Sequence, residues 1–257
     1  MRNPLWIVLL ASLIGVCAPA RAAPDKPTIV LVHGAFADSS SWSGVIPLLQ
    51  RDGYTVVAAA NPLRGVNGDA AYVASVVKSV HGPVVLVGHS YGGAVISQAG
   101  AADNVKALVF VDAFALDAGE SIAEAGAKFP AAPLAAALMP RPLPDGGQDL
   151  YIRPDQLPVV FAPDVPAADA RLMAAEQRPL AASSFGEKPT VAAWRTIPAW
   201  FIYGSADEAI PPAELAFMAE RAHSRQTVVV PGSSHVTMLS HPKEVAAIIE
   251  AAAGGAR

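Results

Sequence analysis

The chain has 257 residues, of which 53% are hydrophobic and 16% are charged, with a formal net charge of −4. This composition supplies enough apolar material for one compact domain. The chain contains no run of basic residues, which argues against nucleic acid or an anionic membrane as its partner.

Residues 1–22 have the pattern of a signal peptide. Arg2 gives a weakly positive start, residues 5–18 form an apolar stretch too short to span a bilayer comfortably, and Ala20-Arg21-Ala22 fits the small-x-small cleavage rule. We therefore predict cleavage after Ala22 and a periplasmic or secreted protein with no stable membrane anchor. An uncleaved anchor is the alternative, disfavoured because no charged stop-transfer segment follows.

Cys17 is the only cysteine of the chain and lies within the predicted signal peptide. Lipidation there is disfavoured by the bulky Val16 before it. A mature chain without cysteine excludes a disulfide framework, a thiolate nucleophile and a cysteine zinc site.

After residue 22, apolar strand-like runs alternate with helix-like runs, a pattern typical of a mostly parallel sheet covered on both faces. Asp69 is a plausible N-cap for the second helix. We predict a six-stranded sheet of the α/β class. The strands are expected near 28–32, 55–59, 84–88, 107–111, 199–203 and 226–230, and the helices near 44–52, 70–80, 92–102, 212–222 and 241–253.

The segment Gly88-His89-Ser90-Tyr91-Gly92 stands between the third predicted strand and the helix that follows it. A G-x-S-x-G sequence in this context is a nucleophile elbow, a strained turn that lifts a serine hydroxyl clear of the sheet. The alternative is that Ser90 simply caps the helix. The strand before it and the helix after it favour Ser90 as a nucleophile.

A serine nucleophile needs a base to take its proton, and two later strands end in suitable residues. His235 follows the last predicted strand and is the candidate base. Asp207 follows the strand before it and would fix the tautomer of the histidine and stabilise the imidazolium. Asp112, at the end of the 107–111 strand, is the alternative acid. The chain order Ser90, Asp207, His235 is one of the known triad orders.

With His33-Gly34-Ala35-Phe36 after the first strand, the chain resembles the α/β-hydrolase superfamily over nearly its whole mature length. It is most similar to small lidded esterases and to the hydroxynitrile-lyase-like branch. The resemblance implies that the N–H groups of Ala35 and Tyr91 form the oxyanion hole, and that His33 is structural.

The interval 114–195 interrupts the alternation of strands and helices. It is rich in alanine and proline, and its clearest helical stretch is Ala167 to Gln177. A structureless loop of this length would be improbable inside a compact domain. We expect an inserted helical lid over the serine, where the family carries one. The domain prediction is thus a signal peptide at 1–22, a hydrolase core at 23–113 and 196–257, and a lid at 114–195.

These observations predict an exported serine carboxylesterase that cleaves small or medium apolar esters through an acyl-enzyme, with no cofactor and no metal. The fold also supports lyase, perhydrolase or lactonase chemistry, or a ligand receptor built on a hydrolase scaffold. Hydroxynitrile lyases resembling this chain have threonine at the position of Gly34 and lysine at that of Val236, which disfavours cyanohydrin cleavage. The expected partner is a small ester; substrate identity and oligomeric state stay open.

Overall fold

The structure, a computed structural model, describes residues 26–255. The predicted signal peptide, its cleavage site and Cys17 lie outside the described residues. Within 26–255, no helix is both long enough and apolar enough to cross a membrane.

Six strands form one sheet in the order β2-β1-β3-β4-β8-β9, and every pairing in it is parallel. The prediction of a six-stranded α/β sheet is confirmed. The four inner strands of this order are apolar and buried, as expected where helices cover both faces of a sheet, whereas the last strand is largely exposed. The six strands are β1 Thr28–Val32, β2 Val56–Ala59, β3 Val84–His89, β4 Val105–Val111, β8 Ala199–Gly204 and β9 Gln226–Val230.

The strand order determines which face each helix covers. Strand β2 is added on one side of β1, and the later strands β3, β4, β8 and β9 are added in turn on the other side. Right-handed crossovers therefore place α1 on one face and α2, α3 and α8 on the other. The C-terminal helix α10 packs with α1. These helices are α1 Ile46–Arg51, α2 Val66–Ser79, α3 Tyr91–Ala99, α8 Pro212–Arg221 and α10 Pro242–Gly255, which follows the short helix α9 Thr237–Ser240.

The prediction that Asp69 caps α2 is wrong. The helix begins at Val66, after Gly65, so Asp69 lies within its first turn. The buried carboxylate reaches back to accept the Arg64 N–H at 3.1 Å and also accepts the Tyr91 hydroxyl at 2.8 Å. These hydrogen bonds satisfy the carboxylate of Asp69 inside the helix. The helix therefore begins about one turn earlier than its sequence pattern indicates.

Residues 114–195, hereafter the insertion, connect β4 to β8. The expectation of a helical insertion is corrected in part, because it also contains a three-stranded antiparallel sheet. Pro140 and Pro142 lie in β5, an edge strand, where a missing N–H is tolerated. Its α-helices and strands are α4 Ile122–Gly126, α5 Pro133–Ala137, β5 Leu138–Pro142, β6 Gln148–Ile152, α6 Leu157–Val160, α7 Ala167–Glu176 and β7 Leu180–Ala181, followed by 3-10 helices at Ala182–Phe185 and Ala193–Arg195.

The carboxyl ends of the central strands meet at one edge of the sheet. His89 pairs with Val111, Val111 with Ile202, and Gly204 with Val230. Open α/β sheets bind ligands at this edge, because the loops that follow the strands converge there. The loops carrying all the sequence-predicted site residues belong to this edge.

Candidate active site

Ser90 occupies the sharp turn between β3 and α3. Its backbone has φ 52° and ψ −122°, a conformation that residues other than glycine rarely adopt. The turn lies so close to β1 that a Cβ at Gly92 would stand 2.5 Å from the Val32 carbonyl oxygen. Glycine at that position therefore permits the close approach, and the strained turn presents the serine at the carboxyl edge of the sheet.

The structure brings Ser90, His235 and Asp207 together in one hydrogen-bonded series. Ser90 Oγ lies 2.7 Å from His235 Nε2, and His235 Nδ1 lies 2.7 Å from Asp207 Oδ2. All three residues are buried, with at most 7% of any of them exposed. A carboxylate only accepts hydrogen bonds, so the imidazole carries its proton on Nδ1 and leaves Nε2 free to accept the serine proton.

The loop after β8 holds the carboxylate of Asp207 in place. Its second oxygen, Oδ1, accepts the backbone N–H groups of Ala209 at 2.8 Å and Ile210 at 2.9 Å. Burial lowers the pKa of His235, but the charge of Asp207 and its hydrogen bond raise that pKa by more, with a further contribution from Asp112. The net result is a histidine with a pKa above its ordinary value, as expected for a base beside a buried carboxylate.

Asp112, the alternative acid, bonds to different groups. Its carboxylate accepts the Gly204 N–H at 2.8 Å, the Thr237 hydroxyl at 2.9 Å and the Thr237 N–H at 3.0 Å. Burial, followed by the charge of Asp207, raises the pKa of Asp112 to about 7. Asp112 thus holds the loop that carries His235, while Asp207 bonds to the imidazole itself.

Two loops approach the serine where an oxyanion would form. A Cβ at Gly34 would lie 2.6 Å from the Ser90 Cβ, so the loop after β1 lies directly against Ser90. In that loop the Phe36 N–H is already engaged by the Arg178 carbonyl at 3.1 Å. Tyr91 is the first residue of α3, where an N–H has no acceptor within the helix and the helix dipole favours negative charge. The assignment of Ala35 and Tyr91 as donors stays a prediction.

Two further histidines support the site. His33 Nδ1 donates to the Gly34 carbonyl at 2.9 Å and its Nε2 accepts the Asn61 N–H at 3.1 Å, while burial lowers its pKa to about 4. His89 Nε2 donates to the His235 carbonyl at 2.9 Å, and burial lowers the pKa of His89 well below its ordinary value. Both rings are therefore neutral structural groups.

A groove opens between the loop after β1 and helix α7. It has a volume of about 450 Å³, and its lining includes Phe36, the residue after the predicted oxyanion donor Ala35, but none of Ser90, Asp207 and His235. Among the described residues that line it, three carry carboxylates and none is lysine or arginine. Its apolar lining consists of Ala37, Phe36, Val165, Pro166, Leu172, Met173 and Leu239, and its acidic lining of Asp38, Asp169 and Glu176.

Two insertion residues that touch the histidine loop complete the site. The Phe161 ring centroid lies 5.0 Å from that of His235, and Asp164 accepts hydrogen bonds from Ser234. No signal in the sequence indicates the contact of Asp164 with the histidine loop. No group of His, Cys, Asp or Glu side chains in residues 26–255 has an arrangement that could hold a metal ion.

An elbow serine, a buried histidine and a carboxylate at the carboxyl edge of a parallel sheet define an α/β-hydrolase site. The chain belongs to the alpha/beta hydrolase family, whose model matches residues 29–248. A relative, the alpha/beta hydrolase nvfD of Aspergillus novofumigatus (strain IBT 16806), is 26% identical over an alignment of 252 positions that covers 90% of this chain and 98% of the relative.

Two solved structures share this fold. Polyneuridine aldehyde esterase has a TM-score of 0.76 and 21% identity, with 88% of this chain and 99% of that chain covered. A pyrethroid hydrolase from Sphingobium faniae JZ-2 has a TM-score of 0.69 and 24% identity, with 89% and 97% covered. At these identities, the likeness establishes the fold.

Proposed function

We propose that the chain is an exported serine carboxylesterase that cleaves small or medium apolar esters through an acyl-enzyme. The observation that carries the proposal is the hydrogen-bonded series from Ser90 Oγ through His235 to Asp207, with 2.7 Å at each step. Such a series activates a hydroxyl that is otherwise a poor nucleophile at its free pKa.

In the proposed reaction, Ser90 Oγ attacks the ester carbonyl carbon while His235 Nε2 takes the hydroxyl proton. The carbonyl oxygen becomes an oxyanion, which the Ala35 and Tyr91 N–H groups would stabilise. Collapse of the tetrahedral intermediate breaks the bond to the alkoxy group, which leaves as the alcohol with the proton from His235. Water, deprotonated by His235, then attacks the acyl-enzyme and releases the carboxylic acid and Ser90.

The lining of the groove supports an apolar ester as the substrate. Apolar side chains such as Leu172 and Met173 face the groove, while its charged groups are all acidic. Apolar pockets with a few polar groups are typical of small-molecule sites. Two proteins of the same fold are named as an esterase and a pyrethroid hydrolase, which agrees with hydrolysis of esters.

A panel of p-nitrophenyl esters of increasing acyl length tests the proposal. The wild-type protein should hydrolyse the short and medium esters. Ser90→Ala should retain only the weak catalysis that binding and the oxyanion hole provide. Ser75→Ala, at an exposed position whose hydroxyl bonds within α2, is the matched control and should keep full activity. A folded protein that cleaves no ester of the panel, or an active Ser90→Ala variant, would contradict the proposal.

A further inference from the structure

The residue before the catalytic histidine is bonded to the insertion. The Ser234 N–H donates to Asp164 Oδ2 at 2.9 Å, and the Ser234 hydroxyl donates to the other carboxylate oxygen of Asp164. The same hydroxyl lies 3.3 Å from the Phe161 carbonyl oxygen. Ser234 is 1% exposed, so these bonds are shielded from competing water.

The same stretch of the insertion also packs on the histidine ring. Phe161 is 1% exposed and meets the imidazole of His235 edge-on, with the two rings inclined at 61°. Its ring also packs edge-on against Phe36 in the loop after β1. Residues 161–164 therefore contact both the backbone that precedes His235 and one side of its ring.

The other side of the histidine loop is fixed by the core. Asp112, at the end of β4, holds Thr237 through both its N–H and its hydroxyl. His235 thus stands between two anchoring carboxylates. The anchor from Asp112 belongs to the sheet, whereas the anchor from Asp164 exists only while residues 161–164 of the insertion are seated on the loop.

The charge on Asp164 suits this anchoring. Burial raises the pKa of the carboxyl, but the hydrogen bonds from Ser234 and Ser240 lower it by more, so its pKa lies below the ordinary value. The group is therefore ionised across the range in which His235 titrates. An ionised carboxylate that accepts a backbone N–H and a hydroxyl makes stronger hydrogen bonds than a neutral acceptor.

From these contacts we propose that Asp164 is a positioning residue, through which the seated insertion aligns His235 with Ser90. The proposal rests on the proposed function, since it assigns a role in serine catalysis. It makes the insertion part of the catalytic machinery in addition to being a wall of the groove. Because a catalytic group displaced by about 1 Å can lose about 10²-fold in rate, loosening this anchor should be visible in turnover.

Asp164→Asn and Ser234→Ala test the proposal on the full mature protein. In Asp164→Asn, the side chain keeps one acceptor oxygen but places its NH₂ group against the second donor of Ser234. Ser234→Ala removes the hydroxyl that donates to Asp164. Asp155→Asn is the matched control, because Asp155 is an exposed insertion carboxylate whose side chain bonds to Gln156. The measurements are kcat and KM for p-nitrophenyl acetate, the rate of inactivation by a small fluorophosphonate, and the melting temperature.

Both variants should lose about ten- to a hundredfold in kcat, with KM nearly unchanged, because acylation and deacylation both use His235. Fluorophosphonate inactivation should slow in parallel, since it also requires the activated serine. The double variant should lose less than the product of the two single losses, because both substitutions break the same contact. Asp155→Asn should match the wild type. If one variant does not fold, the other still gives the result.

Three outcomes would overturn the proposal. The first is that folded Asp164→Asn and Ser234→Ala proteins match the Asp155→Asn control in kcat and inactivation rate. The second is a lower melting temperature with unchanged turnover per active site, which would show that the contact only stabilises the fold. A rise in KM with constant kcat would restrict the insertion to substrate binding. Failure of the proposed function is distinguishable, because it would appear as an active Ser90→Ala protein.

Discussion

Asp207→Asn provides a sharp test of the catalytic acid. Asp207 Oδ1 accepts two backbone N–H groups, so the asparagine oxygen should stay there and its NH₂ group should face His235. The amide would then donate to Nδ1 and force the imidazole proton onto Nε2. That nitrogen could no longer accept the serine proton. Loss of the productive tautomer should lower kcat by about 10⁴-fold, which is a barrier increase of about 5 kcal/mol.

Asp112→Asn is the comparison variant, because it makes the same chemical change on the neighbouring strand end. Its amide would oppose either the N–H or the hydroxyl of Thr237, so a buried donor would lose its acceptor. We expect the free energy of unfolding to fall by about 1–3 kcal/mol. The loss in kcat should be far smaller than for Asp207→Asn, because Asp207 still sets the tautomer of His235.

The assay is steady-state hydrolysis of p-nitrophenyl butyrate, together with urea denaturation of each variant. Asp207→Asn should remain folded and nearly inactive, while Asp112→Asn should be less stable and still active. The reverse ranking of activities would make Asp112 the acid. Mild losses in both variants would refute the requirement for a carboxylate beside His235.

Three further predictions concern pH, selectivity and export. Only neutral His235 accepts a proton and its pKa is raised, so kcat/KM should fall with decreasing pH around a midpoint above 6.5. Asp112→Asn should lower this midpoint, because the charge of Asp112 helps to raise the pKa of His235, and a wild-type midpoint below 6.5 would contradict the assignment of His235 as the base. Leu172→Ala should change the preferred acyl length by up to about 10- to 200-fold in relative kcat/KM, whereas equal losses on every ester would exclude Leu172 from selectivity. N-terminal analysis of secreted protein should find Ala23 first, and a chain that retains Met1 would refute cleavage.

The core of the fold could be predicted from sequence because its signals are local. Each buried strand is a short apolar run, and the elbow motif carries its own glycines, so all six strands lie within about two residues of their predicted positions. The choice between Asp112 and Asp207 could not be made in this way. Strands β4 and β8 are neighbours, so their pairing brings both carboxylates to the same edge of the sheet.

The remaining features depend on contacts between distant segments. Asp164 reaches Ser234 across 70 residues of sequence, and nothing local to a proline-rich interval signals such a contact. The small sheet of the insertion was missed because Pro140 and Pro142 suppress the strand pattern, although an edge strand tolerates them. The early start of α2 similarly depends on the contact of Asp69 with Tyr91.

The central claim is that Ser90 is the nucleophile, and covalent labelling tests it most directly. Active protein is treated with a fluorophosphonate, digested and analysed by peptide mass, with His235→Ala as the control that lacks the base. We predict a single adduct on Ser90, formed as activity is lost, and much slower labelling of the control. An adduct on another residue, or loss of activity without any adduct on Ser90, would contradict the account.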